Sequence, residues 1–263
     1  MPLTRRRFHL AGGAVLATPF ASSCTTPEYP MPTLRHRPLA SLPTTTLSWL
    51  KLRDHFVATV GENAGRGRPL GDLLVLADAT FSAGSRFPLH PHQEMEILSI
   101  VVDGTLSHHG DQAHGAVVPQ RHAQLISARD GMVHAEGNDT TSPVRMLQIW
   151  FRPHRHGGAP AYFDVAFDTP GRHVVVSGDG KDGGMPLRCD ARVEWVDLDG
   201  ADTGRVERFV VGRGRAGYVM PLTTTALLGE ARVAPGEGVV VDEGSVDVGA
   251  AGRGAVLFID VAV

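Results

Sequence analysis

Four side chains in two short stretches have the types and spacing that hold a metal ion. In FPLHPHQEMEILSIVVDG, Phe87 to Gly104, His90 and His92 stand two residues apart at the mouth of a strand-like run. In GMVHAEG, His134 and Glu136 repeat that spacing. Successive side chains of a strand point to opposite faces, so residues i and i+2 share a face about 6–7 Å apart. Two adjacent strands, each offering such a pair inward, would set three imidazoles and one carboxylate around a single point. Imidazole suits iron, nickel, copper and zinc, and one carboxylate adds hardness and offsets part of the cation's charge. Such a set leaves coordination positions open, as catalysis requires.

Other residues compete for these roles. Glu94 and Glu96 share face parity with His90 and His92, but Glu96 lies four residues beyond His92, about 13 Å along a regular strand. Glu136 needs no bend to reach the site, so it is the expected fourth ligand, and Glu96 is expected either to back the ligands from behind or to support the structure. His154-Arg155-His156 repeats the spacing inside a Pro- and Gly-bounded loop, where parity does not hold, and is read as exposed linker. His108, His109, His114 and His122 fall near turns and are read as solvated. Trp150 and Phe151 are read as core. Gln148 is a polar residue inside an apolar strand.

The elements that must position the four residues are strands. Leu73 to Phe81, Glu96 to Val102, Ala123 to Ala128, Met132 to Glu136 and Val144 to Phe151 are apolar runs bounded by turn signals, without helical period. Asp103-Gly104 is a turn signal, with Thr105 to His109 expected as the return strand. After a Pro/Gly/His-rich crossover, strand runs resume from Arg172 to the end. All thirteen histidines lie at or before His173. The pattern is all-β, in two barrel-like units, with the chemistry in the first.

The expected organisation is residues 1–24 as an export signal, 25–47 as a Pro/Thr/Ser-rich linker, 48–157 as the metal-binding unit and 158–263 as a unit without ligands. Thr4-Arg5-Arg6-Arg7-Phe8-His9-Leu10, then a short apolar run and small residues, follows the plan of an export signal and resembles the twin-arginine class. The twin-arginine translocase is then an expected partner, and the periplasm or the outer side of the membrane the expected location. Cys24 after Ala21-Ser22-Ser23 loosely resembles a lipidation site, without the usual Leu. No stretch is long and apolar enough to span a bilayer. The two cysteines, Cys24 and Cys189, exclude a disulfide-dense scaffold and a thiolate-rich metal site. A net charge of −3 recruits neither nucleic acid nor acidic substrates.

Gly84, five residues, His90-x-His92, three residues, Glu96 and a later Gly104 resembles the first cupin motif, with one extra residue before the last Gly. FPLHPHQEMEILSIVVDGTLSHH and LISARDGMVHAEGN resemble the pirin family, a bicupin group, over about Ser48 to the C-terminus. The resemblance implies two cupin barrels, with a metal, commonly iron, held in the first by residues matching His90, His92, His134 and Glu136. Nickel, copper, manganese and zinc remain open. It implies dioxygenase activity of the quercetin 2,3-dioxygenase type on a small aromatic or enolic substrate with O2, for which Glu136 is the expected catalytic base. A non-enzymatic metal or redox sensor that binds a protein partner is the alternative, and an isomerase of hydroxy-carbonyl compounds a third. The sequence departs from the family pattern at Gln120-Arg121, in place of a Pro-Gly turn, and at Arg129, in place of Gly. Both arginines are expected to reshape the entrance.

Overall fold

A computed structural model describes residues 29–178, 180–200 and 206–263. Residues 1–24, expected to be an export signal ending at Cys24, lie outside the described residues. The fold is all-β, in two units that each pair a seven-stranded sheet with a four-stranded one.

In the front unit the large sheet runs Ala161–Ala166, His122–Ser127, Glu96–Asp103, Val144–Phe151, Leu73–Phe81, Leu50–Asp54, Thr44–Thr46. Facing it is a small sheet of His90–His92, Met132–Gly137, Thr105–Gly110 and Ala116–Pro119. The rear unit repeats the plan. Its large sheet is Leu34–Arg37, Gly238–Val241, Arg215–Pro221, Gly254–Ala262, Ala191–Leu198, Arg172–Ser177, Met185–Pro186. Its small sheet is Glu207–Val211, Gly244–Ala250, Ala226–Leu228, Ala231–Val233.

The two large sheets pack back to back. Leu98, Ile100, Leu147, Ile149 and Phe151 of the front unit share one buried cluster with Val193, Trp195, Met220, Leu257 and Ile259 of the rear. The opposite faces of the same strands line the barrel interiors, with Val101, Met146 and Ala79 in front and Val196, Val219 and Phe258 behind. Central strands are therefore buried on both faces, which explains their near-continuous apolar runs. Burying each large apolar side chain contributes about 1.5–3 kcal/mol.

The structure differs from the expected organisation at both borders of the front unit. Within residues 25–47, Leu34–Arg37 pairs antiparallel with Gly238–Val241 and Thr44–Thr46 with Lys51 to Arg53. Beyond residue 157, Ala161–Ala166 pairs with His122–Ser127 and completes the front sheet. Each unit thus takes an edge strand from across the expected border, because an unpaired sheet edge leaves backbone groups without partners.

Asp103-Gly104 is a corner rather than a hairpin. Glu96–Asp103 belongs to the large sheet and Thr105–Gly110 to the small one, so the chain crosses the barrel at Gly104. Gly104 has a φ of 82°, and a Cβ there would lie 2.8 Å from the Pro143 carbonyl oxygen. Only glycine suits such a turn.

Candidate metal centre

His90–His92 and Met132–Gly137 are neighbours in the small sheet, with His134 directly across from His90 and Met132 across from His92. This register turns the three imidazoles into the front barrel. Ring centroids are 4.9 Å apart for His90 and His92, 4.6 Å for His90 and His134, and 5.0 Å for His92 and His134. One nitrogen from each ring falls within 4.8 Å of the others.

The nitrogens are prepared to donate lone pairs. Nε2 of His92 and Nε2 of His134 are buried without a hydrogen-bond partner. Buried polar atoms in native proteins are almost always paired, so an orphan asks for a missing partner. Nδ1 of His90 donates to the Pro88 carbonyl at 2.9 Å, so in the neutral ring the lone pair is on Nε2. Burial pushes the His92 and His134 rings down to about 3, with the neighbouring imidazoles adding to the shift. Both rings are therefore neutral at ordinary pH, the form that ligates. The donor set fits a single divalent ion of the kind that prefers nitrogen ligands.

Glu136 does not join the close triplet, although its side chain lines the same cavity. Its Oε1 accepts from Ser99 Oγ at 2.5 Å and from Gln124 Nε2 at 2.6 Å. The Tyr162 hydroxyl donates to Gln124 Oε1 at 3.1 Å, and this fixes which end of the amide faces Glu136. Burial pushes the Glu136 carboxyl above the usual carboxylate range, opposed by the Ser99 bond and by His108 nearby.

The cavity in front of these residues has a volume of about 270 Å³. Phe81, Phe87, Val60, Met146 and Trp150 form much of its wall, and Gln148 is one of its few polar groups. A concave apolar site with a few convergent polar groups is the usual form of a small-molecule pocket.

The family model described as Pirin matches residues 38–151. A Pseudomonas aeruginosa protein, provisionally named a quercetin 2,3-dioxygenase, is 32% identical over 235 residues, 87% of this chain and 100% of that protein. The chain belongs to the pirin family. Quercetin 2,3-dioxygenase of Escherichia coli K12 is 35% identical over 129 residues, 48% of this chain and 56% of that enzyme. Among solved structures, the bacterial pirin YhhW of Escherichia coli in complex with nickel(II) superposes with a TM-score of 0.79 at 23% identity, covering 88% of this chain and 99% of that one. The pirin likeness shows that both units are cupin barrels.

Several side chains sit elsewhere than the sequence suggests. His108 is wholly buried rather than solvated, and lies opposite Glu136 in the register. Burial holds its pKa below the ordinary value, against the attraction of Glu136. Its position two residues after Leu106, on the inward face, was the available signal. Trp150 lines the cavity and meets the His92 ring edge-on at 5.0 Å. Phe151 is core, as expected. Glu96 is buried away from the cavity, where Oε1 accepts from Ser127 Oγ at 2.5 Å and Oε2 from the Arg188 amide at 3.4 Å. In the 154–156 loop, His154 bonds Asp72 and His156 bonds Glu94.

Neither Arg121 nor Arg129 lines the cavity. Arg121 reaches into the joint between the units, gripping both oxygens of Asp197 and the carbonyls of Phe167 and Thr169. Arg129 bonds Ser127 Oγ at 3.1 Å and the Ala159 carbonyl at 2.9 Å. Their backbones have φ of 63° and 45°, the left-handed region that glycine favours.

Proposed function

We propose that this chain is a metal-dependent dioxygenase of the quercetin 2,3-dioxygenase type, acting on flavonol-like enols. The observation that carries the reading is the pair of buried, unpartnered Nε2 atoms of His92 and His134, converging with His90 on one point of an apolar cavity. His90, His92 and His134 would hold one divalent ion, for which we propose iron. Bound there, the ion would supply Lewis acidity and a path for electrons between substrate and O2. The name of the Escherichia coli relative and the nickel-bound pirin neighbour support a metal oxidoreductase.

The chain's own residues supply position and proton transfer. Phe81, Phe87 and Trp150 flank a planar aromatic ligand and keep water from it. Glu136 accepts the proton of the enol hydroxyl at its carboxylate, and a carboxyl made more basic by burial suits a general base. Ser99 and Gln124, both holding Oε1, fix the plane of that carboxylate. Residues 1–24 support export by the twin-arginine route, with lipidation at Cys24 as a further proposal.

The test is oxygen uptake by the metal-loaded protein over a panel of flavonols. We expect turnover by the wild type and a loss of at least tenfold in Glu136→Gln, with metal retained. Wild-type turnover by Glu136→Gln would remove the base assignment. Metal uptake without oxygen consumption on any flavonol would favour the sensor alternative.

A further inference from the structure

We infer that His108 is a positioning residue that fixes His134 in the tautomer whose Nε2 is free to bind a metal, and that the backbone carbonyl of Ala113 sets the tautomer of His108 in turn. The inference deepens the metal reading above and rests on it.

The argument is one of donors and acceptors. Ala113 O can only accept, and it lies 3.4 Å from His108 Nδ1, so that nitrogen carries the proton. A neutral imidazole has a single N–H, so His108 Nε2 bears a lone pair. That lone pair lies 3.3 Å from His134 Nδ1, which must then be the donor. With its proton on Nδ1, His134 has none on Nε2, and that Nε2 is the buried atom without a partner. The chain Ala113 to His108 to His134 therefore points one lone pair into the cavity. A ligating imidazole usually donates its second nitrogen to a carboxylate, a backbone carbonyl or water. Here a second imidazole takes that place.

The loop that carries Ala113 is locked to the strand that carries His134. The Asp111 amide donates to the Val133 carbonyl at 3.0 Å, and the Val133 amide donates back to Asp111 Oδ2 at 2.9 Å. Ala113 itself is left-handed, with a φ of 48°. Its carbonyl also accepts from the Ala116 amide at 3.0 Å, while the Gly115 amide closes on the His108 carbonyl at 2.9 Å. At Gly110 a Cβ would meet the Val133 oxygen at 2.3 Å and His134 Cα at 2.7 Å. Glycine there lets the Thr105–Gly110 strand lie close enough for the two rings to meet.

The test uses the full-length, metal-free protein first. Long-range proton–nitrogen correlation NMR of the histidine rings reads the His134 tautomer directly. We expect the Nδ1–H form in the wild type and a shift toward Nε2–H in His108→Leu. His108→Gln, whose amide oxygen can stand where Nε2 stands, should restore the wild-type form. Titration with Ni2+ alone should then show about 10–100-fold weaker binding for His108→Leu. His108→Gln should fall within a few-fold of the wild type. An Nε2–H His134 in the wild type overturns the inference, even if His108→Leu does not fold. Unchanged tautomer and affinity in a folded His108→Leu also overturns it. Equal weakening in the Leu and Gln variants would mark His108 as packing only. Failure of the metal reading looks different: the expected tautomers would be found, and the wild type would take up no Ni2+.

Discussion

The two barrels share one architecture and differ in what their strands turn inward. In the front small sheet the first two strands present His90, His92, His134 and Glu136. In the rear small sheet the corresponding strands, in the same sheet order, bury Phe209, Val211, Val246 and Val248. The Phe209 ring stacks on Phe258 at 4.6 Å, where the front barrel keeps its cavity. Gly217 on the facing sheet makes room for that ring, since a Cβ there would lie 2.6 Å from it. Every buried side-chain polar atom without a partner among the described residues lies in the front unit, on Asp54, His55, His92, His134 and Trp150. One copy of the fold is packed throughout, and the other keeps unpaired polar atoms, of which those on His92, His134 and Trp150 belong to residues lining the cavity, where a ligand can satisfy them.

Opening the rear barrel should break the contrast at the highest cost. Phe209→Ala removes the ring stacked on Phe258 and leaves a void lined by valines. We expect a loss of about 3–5 kcal/mol in urea unfolding. A loss below about 1 kcal/mol would mean that the rear core is not filled as described.

The next effect concerns the unpaired carboxyl of Asp54. Burial raises its pKa from 3.8 to about 7. Between those values the folded chain keeps a proton that the unfolded chain releases, so this group's contribution to stability falls as pH rises from about 4 to 7. Asparagine mimics the protonated acid and cannot ionise. Asp54→Asn should therefore match the wild type near pH 4 and exceed it by roughly 2 kcal/mol at pH 8. Denaturation curves at both pH values check this; equal differences at the two would contradict it. His55 beside it has the opposite sign. Burial lowers it to about 3, so its contribution is lost as pH falls below 6.5, and this loss is common to both proteins.

The smallest effect lies at the joint between the barrels. Any substitution of Arg121 loses the grip on Asp197, but the left-handed backbone makes the choice of replacement matter. Arg121→Gly should be more stable than Arg121→Ala by about 1 kcal/mol. The reverse order in thermal or urea unfolding would argue against the strained backbone.

Alternation carried most of what the sequence revealed. The His-x-His and His-x-Glu pairs announce inward faces because the period of a strand is two. Two all-β units also follow from strand runs on both sides of a Pro/Gly/His-rich crossover, and the absence of histidine beyond His173 puts the chemistry in the first. What was hidden depends on pairing across the chain. Leu34–Arg37 lacks apolar alternation because it is an edge strand, held by backbone pairing and by contacts of Arg35 with Asp242 and His36 with Glu237. The corner at Gly104 reads like a hairpin because glycine serves both. His108 reads as a turn residue until Thr105–Gly110 is known to pair with Met132–Gly137. Arg121 and Arg129 read as changes to the entrance, whereas their side chains reach away from it to Asp197 and to the Ala159 carbonyl.

The central claim is that the front barrel holds one divalent ion on three imidazoles where the rear barrel holds none. It is tested most directly by loading the full-length wild type and His134→Val with Fe2+ or Ni2+, and measuring bound metal by elemental analysis after desalting. His134→Val gives the front barrel a valine like those of the rear. The account predicts about one ion per chain for the wild type and at least a tenfold loss for a His134→Val protein with an unchanged circular dichroism spectrum. Equal metal in the two proteins, or none in the wild type, would contradict it.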